Sequence, residues 1–248
     1  MATLAGKTIL IIGGSSGIGY GVAKASLLSR ASKVIIASSS KAKVEAALVR
    51  LKGDITVAGS TVEGTASGEV VDVKDSKNVK ELLEHVGEID HLVLTSGDPV
   101  RTFFPDMDLD ANKDIFDVRF WGGFTAAQAA KIRPGGSITL TIGQILVKPK
   151  KGWSLTSGVL GAVDSLTRGL AVDLAPIRVN VISPGLVKTE FLDGFPTEMR
   201  GELEKHANAL LVQHIGQPDE LAEAYLFCMK CQYITGQRIE VDGGGKFI

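Results

Sequence analysis

The sequence has little net charge, few cysteines and no long apolar run. Its 27 Lys and Arg residues nearly balance its 28 Asp and Glu residues, for a formal net charge of -1, so nothing favours binding to nucleic acid or to an anionic membrane. No apolar run reaches the roughly 20 residues that a membrane-spanning helix needs. No basic and then apolar leader opens the chain, so we expect a cytoplasmic protein.

The only cysteines, Cys228 and Cys231, form a C-x-x-C pair and make no disulfide framework. Such a pair can be redox-active near the start of a helix. Here it lies at the end of a helical pattern over 219–229, and no second pair or His cluster accompanies it. We therefore predict two partly buried structural thiols and no metal site.

What the sequence does contain is a large apolar fraction and many glycines. Of its 248 residues, 44% are hydrophobic and 29 are Gly, which suits one large domain over 1–248. Runs typical of strands cover 8–12, 32–38, 68–73, 91–94, 137–142, 177–182 and 238–241. Helical patterns begin near 20 and cover 41–52, 76–86, about 111–131, about 155–174 and 219–229. The alternation predicts an α/β fold, a doubly wound parallel sheet of about seven strands flanked by helices.

The first strand leads into a glycine-rich turn and then a helix. Gly13, Gly17 and Gly19 are spaced G-x-x-x-G-x-G rather than G-x-G-x-x-G. In a dinucleotide-binding fold, Gly13 permits the tight turn, Gly17 lets the backbone approach the pyrophosphate, and Gly19 lets the helix pack close to the strand. The phosphates then face free N–H groups at a helix N-terminus. We therefore predict a Rossmann-type dinucleotide site, and the alternative is an ordinary strand-to-helix turn.

The end of the second strand indicates which dinucleotide binds. An acidic residue there would bind the adenosine ribose and favour NAD, but the sequence has Ser38, Ser39, Ser40 and Lys41 instead. Their hydroxyls and cation suit a 2′-phosphate, so we predict NADP(H). The alternative is a polar turn in which Ser40 caps the helix over 41–52.

Two further loops are candidates for cofactor contact. Asp72 and Val73 end the predicted third strand, and the Asp72 carboxylate can accept a hydrogen bond from the adenine amino group. Alternatively, Asp72 caps the helix over 76–86. After the fourth strand, Gly97, which follows Ser96, lets the chain pass close to the cofactor's second ribose.

These motifs resemble those of the short-chain dehydrogenase/reductase family, and the resemblance runs nearly end to end. The matching cofactor loop comprises Gly13, Ser15, Ser16, Gly17, Ile18 and Gly19, and segments 234–237 and 241–244 match the family's C-terminal signature. The resemblance implies a small-molecule substrate, a lid over about 190–212 and a homodimer or homotetramer. It also implies a contact to the nicotinamide end from Pro184, Gly185, Val187 and Thr189.

The resemblance further implies a catalytic Ser, Tyr, Lys and Asn, and here the chain departs from the family. The pattern of the helix over 155–174 places the Tyr position at Thr156 and the Lys position at Leu160. The Ser and Asn positions fall at or near Gly143 and at Arg119, and the three tyrosines, at 20, 225 and 233, lie in other elements. We therefore expect the usual proton-donating centre to be absent, a loss of about 10²–10⁴-fold in acid catalysis.

Arg119 is the residue that we expect to replace the lost positive charge. A guanidinium cannot donate a proton at ordinary pH, but it can orient a substrate or stabilise an oxyanion. The alternative is an Arg paired with Asp117 or Asp114 on an exposed helix face.

Other polar residues are candidates with ordinary structural alternatives. Gln144 and Thr141 can bind substrate from the loop after the fifth strand. Thr156 can donate a hydroxyl hydrogen bond, although helix packing is the simpler role. Trp153 walls the pocket or covers the start of its helix. Asp98 stabilises a cationic substrate or caps a turn.

The predicted lid has two histidines, His206 and His214, which we expect to be solvated. Its apolar residues indicate a bulky hydrophobic substrate, or burial against their own domain. They are Phe191, Leu192, Phe195, Met199, Leu203, Leu210 and Leu211.

Two classes of function stay open. The first is an NADP(H)-dependent reductase acting on an imine, an iminium or an activated carbonyl, because an iminium accepts hydride without a proton. Divergent fungal members of the family that reduce and cyclise alkaloid precursors also lack the Tyr–Lys pair, so a role in specialised metabolism follows by analogy. The second class binds NADP(H) without net redox, as a cyclase, an isomerase or a non-catalytic subunit.

Overall fold

The computed structural model describes residues 3–57, 63–98, 104–190, 205 and 207–248. Its parallel strands are β1 (Thr8–Ile12), β2 (Lys33–Ser38), β3 (Thr65–Val70), β4 (Glu88–Leu94), β5 (Lys131–Thr141), β6 (Arg178–Pro184) and β7 (Arg238–Val241). They form one seven-stranded sheet in the order β3-β2-β1-β4-β5-β6-β7. The predicted doubly wound α/β fold is therefore confirmed, and the order in which successive strands are added to the sheet reverses between β1 and β4.

Helices cover both faces of the sheet. The α-helices are α1 (Gly17–Leu28), α2 (Lys41–Val57), α3 (Ser76–Val86), α4 (Gly123–Ala129), α5 (Ser154–Asp173) and α6 (Pro218–Lys230). Buried residues of α1, α2 and α6 pack on one face with Ile9 and Ile11. Buried residues of α3, α4 and α5 pack on the other face with Leu10 and Ile12. Successive residues of β1 thus serve opposite cores, as a strand with both faces covered requires.

The region before β5 differs from the predicted long helix over 111–131. The chain forms a short 3₁₀ turn at Asp110–Asn112, a π-helix at Asp117–Gly122 and then α4, and β5 already begins at Lys131. Gly122 lies against the loop after β3, where an added Cβ would come within 2.7 Å of the Val73 carbonyl oxygen. The π-helix thus lies directly against this loop.

Several strand boundaries also differ from prediction, most of all those of β3 and β5. The β3 strand is 65–70 rather than 68–73, so Asp72 and Val73 lie in the loop beyond it. Its residues are mostly half-buried or exposed, so this edge strand lacks an apolar signal. The β5 strand includes 134–136, which were predicted to precede it, because a register shift against β4 between Ile89 and His91 accommodates the glycine pair.

The two cysteines are free thiols, as predicted. Cys228 is fully buried, and burial raises its pKa to about 12. A thiol in that state is a poor nucleophile, which fits a structural role for Cys228, whereas Cys231 is half-buried. Across the described part of the chain, no helix is both long and apolar enough to cross a membrane.

Candidate functional site

The candidate site lies at the carboxyl ends of β1 and β4, where ligands bind in open α/β sheets. The Thr95 hydroxyl, just beyond β4, donates to the carbonyl oxygens of Ile12 (3.3 Å) and Gly13 (3.2 Å). Gly13 has a φ of +93°, and a Cβ there would lie 2.6 Å from the Ser96 amide nitrogen. The tight turn predicted at Gly13 therefore requires glycine, because the loop after β4 leaves no room for a Cβ there.

The start of α1 offers free backbone donors. Its N-cap residue, Ser16, forms no side-chain cap, so the first N–H groups have no partner within the helix. The Gly17 N–H donates to a carboxylate oxygen of Glu190, at 2.8 Å. Because a carboxylate is an oxyanion like a phosphate, this contact shows that a donor at the start of α1 binds an oxyanion.

The segment predicted to contact the nicotinamide end runs beside this loop. Pro184 ends β6, and the Gly185 N–H donates to the Val241 carbonyl at 2.9 Å. Val187 is buried and pairs with Gly216 in an isolated bridge. A Cβ on Gly17 would come within 3.1 Å of the Thr189 methyl group. The structure therefore brings Thr189 to the cofactor loop.

The serine cluster lies at the end of β2, with Ser38 as its last strand residue. The Lys43 N–H is 3.4 Å from the Ser40 hydroxyl oxygen, so Ser40 caps α2 as the alternative interpretation proposed. The Lys41 side chain is 81% exposed and reaches Glu45 only at 3.9 Å. Capping by Ser40 leaves the Lys41 cation available to a phosphate.

Asp72 does not cap α3, so the alternative role proposed for it is wrong. Asp75 caps α3, and its carboxylate accepts from the N–H groups of Lys77 (2.8 Å) and Asn78 (3.3 Å). Asp72 instead accepts from the Lys74 N–H at 3.0 Å, and its own N–H donates to the Asn78 side chain at 2.7 Å. The Asp72 loop is thereby fixed without capping a helix.

Arg119 lies at the centre of the candidate site, where the residue is half-buried. It stands in the π-helix, and its guanidinium lies so close to Gly97 that a Cβ there would overlap it. The guanidinium donates to the Thr141 carbonyl oxygen at 3.3 Å. The alternative of an exposed Arg paired with Asp117 or Asp114 is therefore wrong.

The charge of Arg119 is retained despite its enclosure. Burial lowers the pKa of the guanidinium, while the neighbouring Tyr225 and Asp98 favour its charged form. Guanidinium stays protonated at neutral pH in proteins. The site therefore contains a half-buried cation at the carboxyl end of β5.

Asp98 has a partner that the sequence did not indicate. Lys74, from the loop after β3, lies 2.9 Å from the Asp98 carboxylate and 3.4 Å from that of Asp114. These interactions raise the pKa of Lys74, chiefly through its hydrogen bond to Asp98. Asp98 is thus partly neutralised and does not present an isolated negative charge to a cationic substrate.

Tyr225, on α6, is the functional candidate that sequence reasoning missed. Its fully buried hydroxyl lies 2.7 Å from the Thr141 hydroxyl, which also lies 2.7 Å from the Leu94 carbonyl oxygen. Because Thr141 has one hydroxyl proton and gives it to Leu94, the Tyr225 hydroxyl must be the donor to Thr141. Burial raises the pKa of Tyr225 well above its ordinary value, so it is not an acid. The sequence pattern of α6 marks Tyr225 only as a core residue.

The four positions implied by the family's catalytic residues lie in the expected elements. Thr156 is half-buried in the first turn of α5, and Leu160 is buried one turn later. A Cβ on Gly143 would lie 3.7 Å from a Leu160 methyl group, so positions 143 and 160 adjoin. Gln144 next to them is engaged elsewhere, because its amide donates to Asp242 at 3.3 Å.

The remaining candidates have structural roles or are not described. Trp153 is half-buried and precedes α5 directly, with its N–H donating to the Lys150 carbonyl at 3.1 Å. His214 is exposed and bonds Glu220 at 2.9 Å, which raises the pKa of the imidazole. His206 and most of the predicted lid lie outside the described residues. At its end, Leu210 is buried whereas Leu211 is 63% exposed.

Comparison with known proteins gives matches over the whole chain. A model of the SDR-like Rossmann domain matches residues 1–248. The short-chain dehydrogenase/reductase fsr5 of Gibberella fujikuroi is 34% identical over 257 residues, covering 98% of this chain and 96% of that protein. The short-chain dehydrogenase/reductase malC of Malbranchea aurantiaca is also 34% identical, covering 97% of this chain and 95% of that protein.

Solved structures agree with these matches. The MalC reductase/Diels-Alderase from Malbranchea aurantiaca superposes with a TM-score of 0.89 at 33% identity, covering 99% of this chain and 98% of that one. A small-chain dehydrogenase in complex with NADPH superposes with a TM-score of 0.79 at 30% identity, covering 98% of this chain and all of that one.

Proposed function

The chain belongs to the short-chain dehydrogenase/reductase family of nicotinamide-dependent oxidoreductases, and we propose that it is an NADP(H)-dependent reductase. Its proposed substrate is an imine, an iminium or an activated carbonyl of a hydrophobic specialised metabolite. The observation that carries this proposal is the enclosed Arg119 guanidinium beside Gly97, at the carboxyl ends of β4 and β5.

The choice of NADP(H) rests on the end of β2 and on a relative. Ser38, Ser39, Ser40 and Lys41 offer hydroxyls and one exposed cation, with no carboxylate to repel a 2′-phosphate. The 30%-identical small-chain dehydrogenase was solved in complex with NADPH. We propose that the phosphates bind at the start of α1 and that Thr189 contacts the nicotinamide end.

When bound, the nicotinamide supplies hydride. The chain has no phenol or amine at Thr156 and Leu160 to protonate a substrate oxygen. Arg119 can instead stabilise an oxyanion that forms near Gly97, with Thr156 as a further hydroxyl donor. Gln144 can join them only if it releases Asp242. An iminium nitrogen, by contrast, would become neutral on reduction and would need no proton at that step.

A second function is favoured by one relative. The 33%-identical MalC is described as a reductase and a Diels-Alderase. A pocket that holds a polyene substrate in a folded shape can promote cyclisation through proximity alone. We therefore keep as the alternative an NADP(H)-binding cyclase or isomerase without net redox.

The first experiment is a calorimetric titration of the protein with NADPH and, separately, with NADH. Tighter binding of NADPH supports the assignment of Ser38–Lys41, and binding of neither refutes the reductase. A panel of cyclic imines and carbonyls is then incubated with deuterium-labelled NADPH. Deuterium in the product supports reduction, whereas cyclised product without deuterium supports the alternative.

Replacing Arg119 distinguishes the two proposed substrate types. For a carbonyl, Arg119→Met removes the oxyanion partner, and we expect a loss of about 10²–10³-fold in kcat. For an iminium, the same change removes a repulsive cation, so kcat does not fall. Arg119→Lys is the matched variant, because it retains the charge but loses the planar donor geometry. A fall in kcat for Met that Lys partly restores identifies the carbonyl.

A further inference from the structure

The carboxylate of Glu190 lies at the first turn of α1, where the proposed function puts the cofactor's phosphates. One of its oxygens accepts the Gly17 N–H at 2.8 Å. This N–H belongs to the first residue of a 12-residue helix whose N-cap side chain forms no cap. Negative charge is stabilised at such a terminus by the free N–H groups and by the helix dipole.

Arg50, from α2, contacts the other oxygen of the same carboxylate. Its guanidinium nitrogen lies 3.4 Å from Glu190, so the carboxylate bridges two helices. The guanidinium carbon also lies 3.4 Å above the centre of the Tyr20 ring. Arg50 is therefore oriented by a stacking contact that does not depend on Glu190.

Tyr20 is itself fixed in place. Its hydroxyl donates to the Asp54 carboxylate at 2.7 Å. Burial and this hydrogen bond raise the pKa of Tyr20 to about 12, so the phenol keeps its proton at neutral pH. The ring thus provides a rigid support for Arg50 on the surface between α1 and α2.

The Glu190 carboxylate is ionised in this position. Burial alone would raise its pKa, but hydrogen bonds from its own backbone, from Gly17 and from Arg50 hold it below the ordinary value. A helix N–H and a guanidinium are also the donors that bind phosphate oxygens. Carboxylate and pyrophosphate therefore compete for one donor set.

We propose that Glu190 occupies the cofactor's pyrophosphate site, and that the arriving pyrophosphate displaces it and takes Arg50 as a ligand. This inference rests on the proposed binding of NADP(H). Arg50 thereby becomes a cofactor-binding residue, and Glu190 a competitor built into the chain. Because Glu190 directly follows Thr189, its release frees the segment proposed to contact the nicotinamide end.

The test is the dissociation constant of NADPH measured by calorimetry for variants of the whole chain. Glu190→Gln keeps the side-chain shape and removes the competing charge, so we expect binding about fivefold tighter, as for an exposed ion pair at a helix terminus. The matched control is Glu84→Gln, which removes the same charge from an exposed position on α3 and should leave the dissociation constant unchanged. Arg50→Met should weaken binding, also in combination with Glu190→Gln.

The outcomes separate this inference from the proposed function. Unchanged or weaker binding by Glu190→Gln, in a protein whose wild type binds NADPH, overturns the competition and leaves the reductase proposal intact. Unchanged or tighter binding by Arg50→Met shows that Arg50 contacts Glu190 only and overturns its role as a ligand. NADPH binding by Glu190→Gln, when the wild type shows none, supports the competition. Absence of binding in all variants refutes both proposals.

Discussion

Acid sensitivity of the fold is predicted from one buried histidine. His91, in β4, is only 2% exposed, and its Nδ1 lies 2.9 Å from the Ser137 hydroxyl. Burial lowers its pKa from 6.5 to about 4, against the opposing charge of Asp90 and with a further contribution from Arg178 and Lys7. The folded chain therefore resists a proton that the unfolded chain accepts.

The sign and the size of the effect follow from this difference. The stability contributed by neutral His91 is complete above pH 6.5 and is lost as the pH falls towards about 4. A tenfold difference in proton affinity corresponds to about 1.4 kcal/mol, so the unfolding free energy should fall by about 3 kcal/mol between pH 7.5 and pH 4. The lowered pKa of Asp90 acts chiefly below its ordinary value of 3.8 and so adds only at the acid end of this range.

Urea unfolding at half-unit pH intervals measures the effect. The matched variant is His91→Asn, which retains a hydrogen-bonding side chain beside Ser137 but does not titrate. We expect it to be less stable at pH 7.5 and to have a much flatter pH dependence. If the wild type and the variant lose stability in parallel from pH 7.5 to pH 4, another group is responsible and the reasoning from His91 is refuted.

Three further predictions concern the candidate site. Gly97→Ala should expel the Arg119 guanidinium and lower kcat for a carbonyl substrate by about 10²–10³-fold. Gly158→Ala, with nothing within 4 Å of the new Cβ, should leave turnover unchanged, and equal turnover in both contradicts the packing. Tyr225→Phe should lower the unfolding free energy by about 1 kcal/mol in urea, because it removes a buried donor to Thr141, and an unchanged value would contradict the assigned hydrogen bond. Arg119→Met should unfold at higher urea concentration than wild type, since it removes a half-buried charge, and a lower midpoint would indicate that Arg119 serves the fold.

The elements that the sequence predicted well are those with strong periodic or glycine signals. The apolar run of β1 and the glycines after it specify a strand, a turn and a helix, and the structure has all three. The Arg119 position was predicted because the family pattern aligned it with a catalytic Asn. The packing of its side chain into the site could not be predicted from the sequence. Whether Arg119 pairs with Asp114 or Asp117 depends on which face of the helix points to solvent.

Other features depend on contacts between distant segments. Asp98 and Lys74 are 24 positions apart, and the bridge from Glu190 to Arg50 spans 140 positions. No local spacing predicts such pairs. The π-helix likewise arises where Gly122 meets the Val73 carbonyl oxygen, a contact made only when the loop after β3 is in place.

Thr141 shows how the fold supports an unfavourable group at the site. Its carbonyl oxygen accepts from Arg119 on one face of the sheet, while its hydroxyl accepts from Tyr225 on the other. Within the described part of the chain, Arg119 forms no salt bridge, so this half-buried cation costs stability that a neutral residue would not. Local rules of stability are most often broken where function requires it. The cation is therefore better explained by a ligand that approaches it than by the packing of the π-helix.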